Sequence, residues 1–138
     1  MRNNIGKSFV AIMIVIAVMA LLLRIVIEKA IKWNIAQNES YAQSTLKLVS
    51  TALENYAKDN RGAYPTSLSV LTLSTPSYLD IKIIAQTTQR GYIYACPRME
   101  TSGYSCMASP VKCGLTGKAA YTITTGSLLV LEECSKQE

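Results

Sequence analysis

Four cysteines offer the plainest chemistry in this chain. Cys96, Cys106, Cys113 and Cys134 are separated by 9, 6 and 20 intervening residues. An even number of cysteines suits disulfides in an oxidising compartment, and four admit three pairings. The spacings contain no CxxC, so a zinc site is not indicated. Four buried free thiols are the remaining alternative, because a reduced cysteine packs as a small apolar residue. Closing the longest of these loops contributes on the order of 3 kcal/mol.

Other reactive chemistry is sparse. There is no histidine. No paired-carboxylate motif and no glycine-rich phosphate loop stands in the sequence. General acid–base work and phosphate binding need such groups, so the expectation is not an enzyme, with no cofactor and no metal. The adjacent Glu132 and Glu133 read as solvated surface. Tyr92, Tyr94, Tyr104 and Tyr121 offer either a binding surface or half-buried packing on strands, and packing is the commoner use.

The elements that position these residues begin with a long uninterrupted stretch. From Lys7 to Arg61 there is no glycine and no proline. Phe9 to Leu23 reads FVAIMIVIAVMALLL, and with Arg24 reaching to headgroups the apolar span extends to Ile27. That approaches the ~20 residues a bilayer requires. Arg2 and Lys7 precede the span and favour a cytoplasmic N-terminus. Residues 1–32 carry Arg2, Lys7, Arg24, Lys29 and Lys32 against Glu28, five minus one, which leaves +1 of the total +5 for the rest. The basic balance is therefore a topology signal around an apolar segment, and no specific nucleic-acid binding is expected. A cleaved secretory signal would want a helix break and a small-residue site after the run, and the nearest match, Val18 and Ala20, lies inside it.

Beyond the span the composition stays helical. Glu28 and Lys32 are spaced for an i,i+4 pair. Ala42, Leu46, Val49, Leu53 and Tyr56 recur at helical spacing as one apolar stripe, with Lys47, Thr51, Glu54 and Lys58 assigned to the opposite face. At ~1.5 Å per residue such a helix is roughly 80 Å long. No small domain needs that length, so its first half requires lipid or other copies of itself.

Two stretches resemble one family. Around Gly6 the chain reads IGKSFVAIMIVIA, which is similar to the leader junction of type IV pilins and type II secretion pseudopilins. There a basic leader ends in glycine, and the mature chain opens with a long apolar helix. Ile12-Met13-Ile14-Val15 match that pattern in register. Then the helix closes on YAKDNRGAYPTSL, where Tyr56, Ala57, Asp59, Asn60, Gly62, Tyr64, Pro65, Thr66 and Leu68 stand where the family has them. Lys7 and Ala11 depart from it, since the family usually has an aromatic or methionine first and a glutamate fifth. Together the two motifs cover roughly the first half of the chain.

The resemblance implies a leader at 1–6, a transmembrane and protruding helix at 7–41 and a globular pilin-like domain at 42–138. It implies an α+β fold, a long N-terminal helix packed on a small antiparallel sheet of three to four strands. Gly6 and Lys7 would be the processing site of prepilin peptidase, with methylation. Phe9, Ile12, Ile14, Val15, Val18, Leu21, Leu22 and Leu23 would serve in the membrane and in filament packing. The implied partners are other copies or related pilins, prepilin peptidase, an inner-membrane assembly platform and membrane lipid. The implied location is the inner membrane before assembly and an extracytoplasmic or cell-surface filament after it. A minor or tip pilin, or a membrane-tethered binding module outside the filament body, is the alternative. The calcium loop of major pseudopilins has no matching aspartate and asparagine cluster here.

In the remaining half, Gly62 and Pro65 end the helix, and GAYP reads as a turn with an aromatic plug. Ser67 to Leu73 suits a short helix, and Ile81 to Ala85 suits either a strand or a helix. Gly91 to Cys96 is rich in strand formers and Tyr104 to Ala108 is its return strand. Ala120 to Thr124 and Ser127 to Leu131 flank Thr125-Gly126 as a hairpin. A hairpin near Thr101 permits Cys96–Cys106, and Cys113–Cys134 would then close the last region as C-terminal loops are closed in many pilins. Cys96–Cys134 with Cys106–Cys113 is the competing pairing.

Overall fold

A computed structural model describes residues 5–80 and 87–134. Helix α1 runs Ile5–Asp59 and helix α2 runs Leu68–Leu73. Five strands follow: β1 Thr88–Gln89, β2 Tyr92–Glu100, β3 Gly103–Pro110, β4 Ala119–Thr124 and β5 Leu128–Glu133. The fold is α+β, with α1 packed on one antiparallel sheet in the order β1-β2-β3-β4-β5. The sheet thus has five strands, not three to four. The addition is β1, whose two residues are too short to show any alternation in sequence. The segment Ile81 to Ala85 lies outside the described residues. Two compact units divide the chain, Met1–Asn34 and Ile35–Glu138.

In the second unit, helix and sheet meet through the stripe read from the sequence. Ala42, Leu46, Val49 and Leu53 are buried against Tyr92, Tyr104, Cys106, Ala108, Tyr121 and Ile123. Alternation places those strand residues on one face, as a period of two requires. Tyr92, Tyr104 and Tyr121 are buried outright rather than half-buried. They can be, because their hydroxyls find partners: Tyr92, for example, donates to the Ala119 carbonyl at 2.8 Å. Gly117 is required beside it, since a Cβ there would collide with the Tyr92 ring and hydroxyl.

Helix α1 ends where the sequence puts the stop. The Gly62 N–H donates to the Ala57 carbonyl at 2.7 Å, with Gly62 at φ +86°. A left-handed residue just past the last turn is the usual way to satisfy the end carbonyls, and glycine adopts it without strain. The chain then places Tyr64 against Tyr104, edge to face at 5.3 Å, and ties the Tyr64 N–H to the Thr101 carbonyl.

Candidate functional site

The first candidate surface is the apolar part of α1. Phe9, Ile12, Ile14, Val15, Val18, Leu21, Leu22 and Leu23 are 49% to 65% exposed. So are their neighbours on every side: each residue from Ser8 to Ala30 is exposed. This stretch is long and apolar enough to cross a membrane, and none of its most apolar window is buried by the chain itself. A helix apolar all round has no stable place in water; it needs lipid or protein on every face. Gly6 and Lys7 fall within the first turn of α1. At the far end of the run, Arg24 pairs with Glu28 at 3.6 Å. The sequence spacing suggests Glu28 with Lys32; the ion pair is instead with Arg24, one turn before Glu28, through its Nε. The pair is exposed and worth a few tenths of a kcal/mol in water.

The second surface is the disulfide-held sheet. Cys96 joins Cys106 across β2 and β3, and Cys113 joins Cys134 across 21 positions of sequence. The described residues contain no free cysteine. Two disulfides are what an oxidising, extracytoplasmic setting permits. The first sits at a break in register between Ala95 and Arg98, where Cys96 and Pro97 oppose the single residue Cys106. That two-against-one count is a β-bulge, and it accommodates Pro97, which has no N–H to give a ladder. The second pins the loop after β3 to the end of β5. The loop is also held by side chains of α1: Asn38 donates to the Thr116 carbonyl at 3.0 Å, and Glu39 accepts from the Lys118 N–H at 2.8 Å.

A third feature escaped the sequence. Helical spacing puts Glu54 on the solvent face with Lys47, Thr51 and Lys58, and those three are exposed. Glu54 instead accepts three hydrogen bonds at the edge of the core. One carboxylate oxygen takes the Tyr104 hydroxyl at 3.0 Å and the Gly126 N–H at 2.8 Å, and the other takes the Tyr64 hydroxyl at 2.9 Å. Ser50, one turn earlier, bridges the Tyr104 and Ser127 hydroxyls at 2.8 and 2.6 Å. The helix therefore grips the β4–β5 turn, which spans residues 125–127 with Gly126 and Ser127 at positive φ. The two-residue turn expected from Thr125-Gly126 is one residue longer, and β5 starts at Leu128. Glu54 sits one position past Leu53, at the border of the stripe, where a carboxylate can turn to either side. Only partners distant in sequence decide which.

The electrostatics follow from burial. Desolvation first, then the hydrogen bond to Glu54 and its charge, push the Tyr64 hydroxyl from 10 up to about 12. Burial also raises Tyr104, Tyr92 and Tyr121, keeping these hydroxyls neutral donors. Among the described residues no group of three or more cysteine, aspartate or glutamate side chains is arranged to hold a metal. A cavity of about 280 Å³ lies between α1 and the sheet, lined largely by Leu46, Val49, Leu68, Tyr94 and the Cys96–Cys106 bridge. No protein-family model matches the sequence, and no curated protein matches it.

Proposed function

We propose that this chain is a structural subunit of a type IV pilus-like or pseudopilus filament, membrane-inserted first and then assembled through its apolar helix. One observation carries the reading. A helix uncovered on every side from Ser8 to Ala30 continues without a break into the helix that anchors a disulfide-bonded sheet. Lipid satisfies the first part while the subunit is stored, and equivalent helices of other subunits satisfy it after assembly. The role is structural rather than catalytic. Other copies or related pilins, prepilin peptidase acting between Gly6 and Lys7, and an inner-membrane assembly platform are the partners this reading requires.

Ala11 favours a second reading. Where the family has a glutamate to neutralise a neighbouring N-terminal amine, this chain has a methyl group. A minor or tip subunit, or a tethered extracytoplasmic binding module, does without that contact. Expression with and without prepilin peptidase, followed by intact mass, separates processing from plain anchoring. Loss of residues 1–6 only with the enzyme supports the filament reading, and an unchanged mass in both overturns it. Electron microscopy of sheared surface fractions then places the processed chain in the filament body or outside it.

A further inference from the structure

The cavity between α1 and the sheet is larger than close packing leaves by accident. Protein interiors hold few voids bigger than a water molecule. This one measures about 280 Å³. A dry cavity of ~150 Å³ with aliphatic and aromatic walls already binds benzene. The lining comes from three elements of the second unit. Leu46 and Val49 belong to α1, Leu68 to α2, and Tyr94, Cys96 and Cys106 to the β2–β3 pair.

The chemistry of that lining selects an occupant. Among the described residues that line the cavity, none is charged. An ion moved there would lose its water and find nothing to pair with, so the occupant is neutral. Sulfur and an aromatic ring are both present, from Cys96, Cys106, Met107 and Tyr94. Sulfur is polarisable and makes favourable contacts with ring edges, and rings attract rings in offset or edge-to-face geometry. An aromatic occupant gains from both, more than an alkyl chain of the same volume. One polar atom in the wall is also unmet. The Tyr94 hydroxyl is closed to solvent and has no hydrogen-bond partner, and Thr45 stands near it without hydrogen-bond geometry. Buried hydroxyls are nearly always paired, so this one marks where a polar substituent of the occupant belongs.

We propose that this cavity is a binding site for a small neutral aromatic molecule, of up to two fused rings, that carries a single N–H or O–H group. The volume is roughly twice that of a cavity known to take one benzene, which sets the limit at two rings. The rings lie against the Cys96–Cys106 bridge and the Tyr94 ring. The polar hydrogen of the ligand donates to the Tyr94 hydroxyl oxygen, whose own proton is then free to turn toward Thr45. The site lies outside the apolar run of α1, so its occupancy and the filament reading stand or fall separately.

The test titrates indole into the full chain in detergent micelles, with disulfides intact and free ligand corrected for partition into protein-free micelles. Amide chemical shifts are the readout. Residues 94–96 and 106–107 move together and saturate at a single equivalent of indole. Indene, the same size without an N–H, binds about fivefold more weakly, the usual worth of one hydrogen bond, and Tyr94→Phe erases that difference. Indole-3-carboxylate, an anion at neutral pH, does not compete. Val49→Phe puts a ring of its own in the space and weakens indole at least about tenfold, and Leu68→Trp does the same from α2 if the first variant does not fold. Thr51→Phe, at an exposed position of the same helix, preserves binding. Retained tyrosine near-ultraviolet dichroism confirms that each variant is folded. Shifts confined to residues 8–30, a response that never saturates, indene or the carboxylate binding as tightly as indole, or undiminished binding by the folded cavity-filling variants overturns the proposal.

Discussion

The two parts of α1 are built from one uninterrupted backbone but solve opposite problems. From Ser8 to Ala30 every side chain is exposed and most are apolar. From Ile35 to Asp59 one stripe is buried and the remaining positions are largely polar. Helix propensity does not distinguish them, since neither contains glycine or proline. What differs is who supplies the covering surface. The second part carries its own cover in the same chain, and the first depends on whatever surrounds it. Substitutions that look alike in composition should therefore have unlike consequences.

The largest contrast comes from Leu53, fully buried in the second part. Leu53→Ala should destabilise the sheet domain by about 2–5 kcal/mol, read from denaturant unfolding of the tyrosine near-ultraviolet signal in micelles. A loss below about 1 kcal/mol would show that the helix–sheet core does not hold the domain. Next comes the covalent cover. Replacing Cys113 and Cys134 together by serine should cost about 3 kcal/mol in the same assay, because the closed loop restricts the unfolded chain. Glu54→Ala should follow at about 1–3 kcal/mol, since three donors lose their acceptor at once. Its diagnostic readout is the Gly126 amide, whose exchange should speed up more in the variant than that of the β2 amides, which follow only the global loss. If Gly126 is unaffected, the carboxylate is not what holds the turn.

A smaller effect should appear in alkali. Tyr64 has its pKa raised in the folded protein, from 10 to about 12. Folding therefore favours the neutral hydroxyl. That contribution is fully present below pH 10 and is lost as pH rises toward 12. Thermal stability should fall across this window in the parent chain, and less steeply in Tyr64→Phe. Equal slopes would mean the hydroxyl does not contribute. The smallest effect belongs to the first part of the helix. Leu22→Ala should leave unfolding of the sheet domain within about 0.5 kcal/mol of the parent, because Leu22 is exposed and is not one of that domain's core residues. If Leu22→Ala matches Leu53→Ala, the division between the two parts is wrong.

What could be read from the sequence divides along similar lines. The helix, its stop at Gly62, the stripe from Ala42 to Leu53 and the hairpin from β4 to β5 are written in local periodicity and turn residues. Each involves neighbours within a few positions. The place of Glu54 is not legible, because its partners lie 10, 50 and 72 positions away, and nothing local distinguishes it from Lys47 or Lys58. Strand β1 is not legible because two residues carry no pattern. The bulge at Cys96 and Pro97 was signalled only by a proline in a strand-like run, which also fits a strand end. The depth of Tyr92 depends on a glycine 25 positions later that leaves room for its ring, and such complementarity has no signature in either residue alone. The candidate surface on α1 was the most legible part, since exposure of an apolar run follows from its length.

The disulfide between Cys113 and Cys134 also determines how the domain carries force. A pull delivered to the chain at Cys134 passes through sulfur directly to Cys113, bypassing everything between them. Strands β4 and β5 lie wholly inside that bypass, so they bear no tension along their own backbone while the bridge is intact. Their hairpin can detach from the sheet but cannot be drawn out. The load instead enters at the end of β3 and runs along it to Cys106, where the bridge to Cys96 again short-circuits the hairpin ahead of it. Stretching the oxidised domain should therefore release less chain than stretching the reduced one, by the slack held in both loops. Two covalent shortcuts in series thus set how far the sheet can be extended before the strain passes toward helix α1.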